Sequence, residues 1–192
     1  MSGDTKVVQT PFLKEAINNL EKNSVLVLLN QKQLKPSINF VLQNFFEEKK
    51  TLIFVSTQPY QNYFEKEIPK NIFVINLTNK TNGEKKDQIF NINNPSNLTG
   101  IQIAVESVLK KNPEDVTIFF DSINSLAIHN SPKNIAKFFY IFINKTSLQK
   151  NSLLLFSVKD SMNENALDKI KQFSGKTFDY SNIFISSIEI DN

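Results

Sequence analysis

Ser24-Val25-Leu26-Val27-Leu28-Leu29 is an unbroken apolar run, followed by the polar stretch Asn30-Gln31-Lys32-Gln33-Leu34-Lys35 and then by Pro36-Ser37-Ile38. An apolar run without polar alternation fits a strand covered on both faces, as strands of parallel sheets are. Pro36 has a preset φ that suits the first turn of a helix. Ile38, Val41, Leu42, Phe45 and Phe46 then recur at helical spacing as far as Glu48. The stretch therefore predicts a buried strand, a loop over Asn30–Lys35 and a helix over Pro36–Glu48.

The same alternation extends in both directions. Upstream, Pro11–Lys22 predicts a first helix through Phe12, Leu13, Ala16, Ile17 and Leu20. Downstream, Thr51–Ser56 and Asn71–Leu77 read as strands, with a short helix at Tyr60–Glu67 between them. Thr78–Asn94 is polar, with an extended piece at Ile89–Ile92. Leu98–Lys110 is helical, Val116–Phe120 is a strand ending at Asp121, and Pro132–Leu148 is a long helix rich in Phe and Ile. Ser152–Ser157 is a strand, Asn163–Phe173 a helix, and Lys176–Tyr180 with Ile183–Ile190 reads as a closing hairpin turning at Ser181-Asn182. Strand and helix alternation implies a three-layer αβα domain around a mostly parallel sheet, here ending in a C-terminal antiparallel hairpin. One domain spans 1–192: a helical extension at 1–23, a core at 24–180 and a terminal strand at 181–192.

Composition removes several functions. The 192 residues contain no cysteine, which excludes disulfides, thiolate metal sites and cysteine nucleophiles. All 22 basic residues are lysines, so no arginine finger or bidentate arginine clamp can come from this chain. The net charge of +3 is small for an electrostatic binder of nucleic acid. The abundance of Asn, Lys, Ile and Phe fits AT-rich coding, so the lysines are not read as phosphate binders by default. No apolar run approaches the ~20 residues that span a bilayer, and the polar start Met1-Ser2-Gly3-Asp4 carries no secretory signal. The expectation is a cytoplasmic protein without membrane insertion.

In an open parallel sheet, ligands bind beyond the carboxyl ends of the strands. A phosphate-binding loop there requires the pattern G-x-x-x-x-G-K-[ST], whose glycines let backbone N–H groups turn onto phosphate. In that slot Asn30 and Lys35 replace the glycines, Pro36 replaces the lysine, and only Ser37 survives. Lys32 or Lys35 could reach a phosphate, although a solvated lysine is the favoured reading. Val116-Thr117-Ile118-Phe119-Phe120-Asp121 has the form of a strand whose terminal Asp holds Mg²⁺ in nucleotide hydrolases; the alternative is that Asp121 caps a turn or bonds Ser37. His129 stands alone and makes a poor zinc site. Ser122 and Ser125 have no base at readable spacing and no nucleophile elbow.

Several of these stretches together resemble the KaiC-like branch of the RecA superfamily. They are Phe54–Tyr60 (FVSTQPY), Asn94–Thr99 (NPSNLT), Val116–Leu126 (VTIFFDSINSL), Asn130-Ser131-Pro132 and Phe138–Lys145 (FFYIFINK). The likeness runs from Ser24 to Tyr180 and is strongest over Asn94–Asp160. It implies a RecA-type core and association through neighbouring subunits. Active members carry an intact phosphate loop and acidic residues after the second strand. Here the loop is degenerate, and Gln58-Pro59 stands at the acidic position. A general base needs a carboxylate there, whereas Gln can orient water but cannot take its proton.

The resemblance and its two departures imply a catalytically inactive, pseudo-ATPase member acting as an interaction or signalling module. It would have no cofactor, and its partner would be a second copy or an active KaiC-like ATPase. A first alternative is a nucleotide sensor binding ATP and Mg²⁺ through Asn30, Lys32, Lys35, Gln58 and Ser122, with Ser37 and Asp121 at the metal. A second is a nucleic-acid-binding RecA-like protein, which the charge and the lack of arginine disfavour. A two-component receiver would need an acidic cluster after the first strand, where Gln31-Lys32-Gln33 stands. Lys159 is a candidate contact to a neighbour's nucleotide. The aromatic helix over Pro132–Leu148 is either an interface or a helix buried on nearly all sides.

Overall fold

Residues 11–48, 50–64, 67–78, 87–112 and 115–183 are described by the computed structural model. Seven strands form one parallel sheet: β1 (Ser24–Leu29), β2 (Thr51–Ser56), β3 (Ile72–Asn76), β4 (Ile89–Asn91), β5 (Val116–Phe120), β6 (Ser152–Val158) and β7 (Lys176–Asp179). Their order is β4-β3-β2-β5-β6-β1-β7, and every adjacent pair runs parallel. The helices are α1 (Pro11–Asn18), α2 (Gln31–Glu48), α3 (Leu98–Leu109), α4 (Ile123–Ile128), α5 (Pro132–Leu148) and α6 (Glu164–Phe173).

Strand alternation splits the core into two layers. Val25, Val27 and Leu29 of β1, Phe54 of β2 and Phe156 of β6 pack under α1 and α2. Leu26 and Leu28, Val55, Phe120 and Leu155 face the other way, under α3, α4, α5 and α6. Adjacent phenylalanines on β5 serve both layers. Phe119 stacks against Phe54 at 5.5 Å and meets Phe156 edge-on at 4.9 Å. Phe120 makes edge-to-face contacts with Phe139 and Phe142 at 5.5 and 5.4 Å, a geometry that adds to simple burial. The aromatic face of α5 is thus core: Phe138, Phe139 and Phe142 are buried, while Tyr140 and Ile141 remain on the outer side.

Several elements differ from the sequence-based expectation. No loop separates β1 from α2, because the helix begins at Gln31 rather than Pro36. Asn30 and Gln33 form a reciprocal capping box: Gln33 N–H donates to Asn30 Oδ1 at 3.1 Å, and Asn30 N–H donates to Gln33 Oε1 at 2.7 Å. That pair starts the helix ahead of Pro36, which lies on its exposed side. The helix expected at Tyr60–Glu67 is a 3-10 turn at Tyr60–Asn62. The first helix ends at Asn18 rather than Lys22, and the short α4 was not foreseen. Ile89–Asn91 becomes the edge strand β4.

The first arm of the expected hairpin pairs in parallel with β1, Leu26 opposite Thr177, so β7 belongs to the main sheet. The turn at Ser181-Asn182 is present, with Ile183 N–H bonded to Tyr180 O at 3.0 Å. The second arm lies outside the described residues beyond Ile183. Among the described residues, no helix is long and apolar enough to cross a membrane.

Candidate functional site

The connections after β2 and β5 leave the sheet in opposite directions. Tyr60, Tyr63 and Phe64 pack on the α2 layer, whereas Ile123 and Leu126 of α4 pack on the other. Neighbouring strands whose connections diverge open a crevice at their carboxyl ends. A cavity of about 190 Å³ lies there. Thr57 and Gln58 enter it from β2, Asp121, Ser122 and Ser125 from β5 and α4, Gln31, Leu34 and Ile38 from α2, and Tyr63 from the turn.

Asp121 forms the floor and is only 1% exposed. Thr57 donates to its carboxylate twice, from the backbone N–H at 2.9 Å and from Oγ1 at 2.8 Å. Ser56 Oγ lies 3.1 Å from Oδ2 and 2.8 Å from Gln58 O. The carboxylate therefore ties the end of β5 to the end of β2. Burial pushes its pKa up to about 6, while the bonds from Thr57, Ser56 and Gln58 pull the other way. Burial, and secondarily the Asp121 charge, also raises the Tyr63 hydroxyl above its ordinary value.

The rest of the wall is held from outside. Asn124 donates to Val158 O at 3.0 Å and accepts from Val158 N–H at 2.7 Å, which locks α4 to the end of β6. Ser122 and Ser125 hydroxyls lie 3.4 Å apart. Ile128 stands at the rim and is 77% exposed.

Of the residues singled out from sequence, the fold brings Gln58, Asp121 and Ser122 together in this cleft. Asn30 instead caps α2 and donates from Nδ2 to Ser181 O at 3.0 Å. Lys32 and Lys35 are exposed on α2. Ser37 is buried in a different place, a small cavity shared with Leu29, Gln33 and Tyr180. Ser37 and Asp121 are therefore not partners at one metal. Lys159 pairs with Asp179 of its own chain at 3.0 Å. His129 is exposed at the end of α4, and among the described residues no three His, Cys, Asp or Glu side chains gather as metal ligands.

Tyr63 is not singled out by the sequence; Gln31, Thr57 and Asn124 fall within its strand-end stretches without being named as site residues, and Ser125 is weighed there only as a nucleophile. Thr57 had a readable signal, since it directly follows the end of β2. Gln33 had one too: Asn30-x-x-Gln33 is a capping-box pattern. Its amide is buried and donates to Tyr180 O at 3.0 Å and Ile183 O at 2.6 Å.

A magnesium nucleotide held by a phosphate loop needs inward backbone N–H groups, a lysine at the phosphates and a carboxylate free for the metal. Here the N–H groups of Asn30 and Gln33 are used by the capping box. Among the described residues no lysine lines the cavity, and Asp121 is bonded to Ser56 and Thr57. These residues do not fit that ligand held in that way.

The sheet order, the helices on both faces and the strand-end crevice define a RecA-type α/β domain. The chain is similar in fold to a KaiC-like protein from the hyperthermophilic archaeon Pyrococcus horikoshii, with a TM-score of 0.57 and 14% sequence identity, over 85% of this chain and 75% of that one. No protein-family model and no curated protein matches the sequence.

Proposed function

We propose that this protein is a RecA-type module that does not turn over ATP and acts by binding other proteins, as a signalling or assembly component. The observation that carries this is the direct passage from β1 into α2. Helix begins at Gln31, its first turn is closed by the Asn30–Gln33 capping box, and the carbonyls of Tyr180, Ser181 and Ile183 are latched to it. That closed turn supports the reading, because the Asn30 and Gln33 N–H groups are spent on the capping box.

Gln58-Pro59 adds a second support, since no carboxylate follows β2 to accept a proton from water. The partner is a second copy or an ATP-hydrolysing KaiC-like protein. Apolar side chains on the outer faces of α3, α4 and α5 favour protein contact: Ile103, Ile128, Ile141 and Leu148 are all exposed.

Titration of Mg²⁺-ATP and Mg²⁺-ADP into the full chain, beside a phosphate-release assay, tests the reading. The expected result is no turnover and no saturable heat up to millimolar nucleotide. Hydrolysis that disappears in Asp121→Ala would overturn it.

A further inference from the structure

A second cavity, of about 490 Å³, lies at the amino ends of the strands, the far end of the sheet from the cleft. That volume falls within the ~300–1,000 Å³ of small-molecule sites. Two hydroxyls form its floor. Thr117 of β5 and Ser152 of β6 stand directly opposite each other in the parallel register, so both project from one face of the sheet. Thr117 is only 6% exposed, yet among the described residues its Oγ1 has no hydrogen-bond partner. Ser152 Oγ accepts from Lys22 N–H at 3.1 Å, which leaves its own proton to donate. A buried hydroxyl without a partner carries a desolvation cost that a bound acceptor removes.

The walls divide by chemistry. Ile17, Leu20 and Phe45 form an apolar side. Asp115 and Lys150 stand two residues ahead of Thr117 and Ser152 on the same two segments, and both line the cavity. Among the described residues they form no ion pair with one another, whereas Lys50 of the same lining pairs with Glu48 at 3.0 Å. Lys22, Asp115 and Lys150 all hold left-handed backbone, at φ 54°, 51° and 57°, a conformation that residues other than glycine rarely take. The turns into β1, β5 and β6 thus set side chains of both signs around the two hydroxyls. Among the described residues three lysines and three carboxylates line the cavity, so the lining favours neither an anion nor a cation alone.

We propose that this cavity binds a zwitterionic α-amino acid with an apolar side chain. Its carboxylate accepts from the hydroxyls of Thr117 and Ser152 and pairs with Lys150, its ammonium meets Asp115, and its side chain lies against Leu20 and Phe45. The charged head gives both hydroxyls a charge-assisted hydrogen bond, and the apolar wall takes the carbon chain. The site shares no residue with the cleft at Asp121, so the inference stands apart from the noncatalytic reading.

Calorimetric titration of L-leucine into the full chain at neutral pH tests it, beside isocaproate, which lacks the ammonium, and isoamylamine, which lacks the carboxylate. The expected result is saturable binding of leucine at least about tenfold tighter than of either analogue. Thr117→Val keeps the side-chain shape, removes the hydroxyl and should weaken leucine about tenfold. Lys150→Gly suits the left-handed backbone, so the fold is kept, and it should abolish the preference for leucine over isoamylamine. That second variant keeps the test decisive if Thr117→Val does not fold. No saturable leucine binding, an analogue bound as tightly as leucine, or leucine affinity unchanged in either folded variant would each overturn the proposal. Mg²⁺-ATP in the same calorimeter reads the noncatalytic proposal separately, because heat from nucleotide says nothing of the amino acid.

Discussion

Asp121 should make this protein less stable as pH rises from about 4 to about 6, the reverse of the usual behaviour of a carboxylate. Its pKa in the fold is pushed from its ordinary 3.8 up to about 6, chiefly by burial. Between those values the folded chain holds a proton that the unfolded chain has released. Stability changes with pH in proportion to protons bound unfolded minus protons bound folded. That difference is negative here, so the contribution is fully present below pH 4 and is lost as pH rises through 6. A displacement of about two units at 1.36 kcal/mol each amounts to about 3 kcal/mol.

The structure explains how the protonated form is accommodated: Oδ2 can donate to Ser56 Oγ, whose proton then goes to Gln58 O. Glu106 and Asp179 oppose this trend. Lys145 and Gln102 hold Glu106 below its ordinary value. For Asp179, burial raises the value, but the bonds from Ser181 and Lys159 outweigh it and the net displacement is downward. Both lose stability as pH falls through their lowered pKa values.

The comparison must therefore be a difference. Urea denaturation of the wild type and of Asp121→Asn at pH 4.0 to 7.5 isolates the Asp121 contribution. The wild type should lose about 2 kcal/mol relative to the variant across pH 4–6 and almost nothing further above pH 7. A wild-type-minus-variant difference that stays flat across that window, or that rises with pH, would refute the reasoning.

Phe120→Ala removes the ring that Phe138, Phe139 and Phe142 surround, and should cost about 3–5 kcal/mol in urea denaturation. Gln33→Ala strips donors from two backbone carbonyls and an acceptor from Asn30 N–H; a loss of about 2–3 kcal/mol is expected, with faster proteolysis at the Tyr180–Ile183 turn. Lys150 ends α5 in the left-handed region at φ 57°, with Asn151 N–H bonded to Thr146 O and Lys150 N–H to Ser147 O, a Schellman arrangement that favours glycine. Lys150→Gly should raise the urea midpoint, by up to about 1 kcal/mol, because relief of left-handed strain exceeds the added chain entropy. Asn163→Ala removes the side-chain acceptor for Ala166 N–H and should cost about 1 kcal/mol, visible as a lower melting temperature.

The linear pattern was enough for the layered α/β class. Apolar runs such as Val25–Leu29 and Leu153–Phe156 have no polar alternation, and only a sheet covered on both faces buries them. Asp121 and Gln58 were legible for a local reason too, since Asp121 directly follows a buried apolar strand and Gln58 stands two residues past another. The start of α2 was legible in principle, because Asn30 and Gln33 stand at capping-box spacing, but Pro36 offered a competing start signal within the same window. The fate of Lys176–Tyr180 was not legible. Its pairing with β1 joins segments about 150 residues apart, and nothing in a short stretch states which edge a strand will find or in which direction. Tertiary structure alone decided that Ser37 and Asp121 face different cavities, because a position on a helix points one way only once the helix's first residue and its rotation against the sheet are set. It also decided that Asp121 is bonded to Thr57 rather than open to a metal: that bond joins β2 to β5, and the strands meet only in the folded sheet.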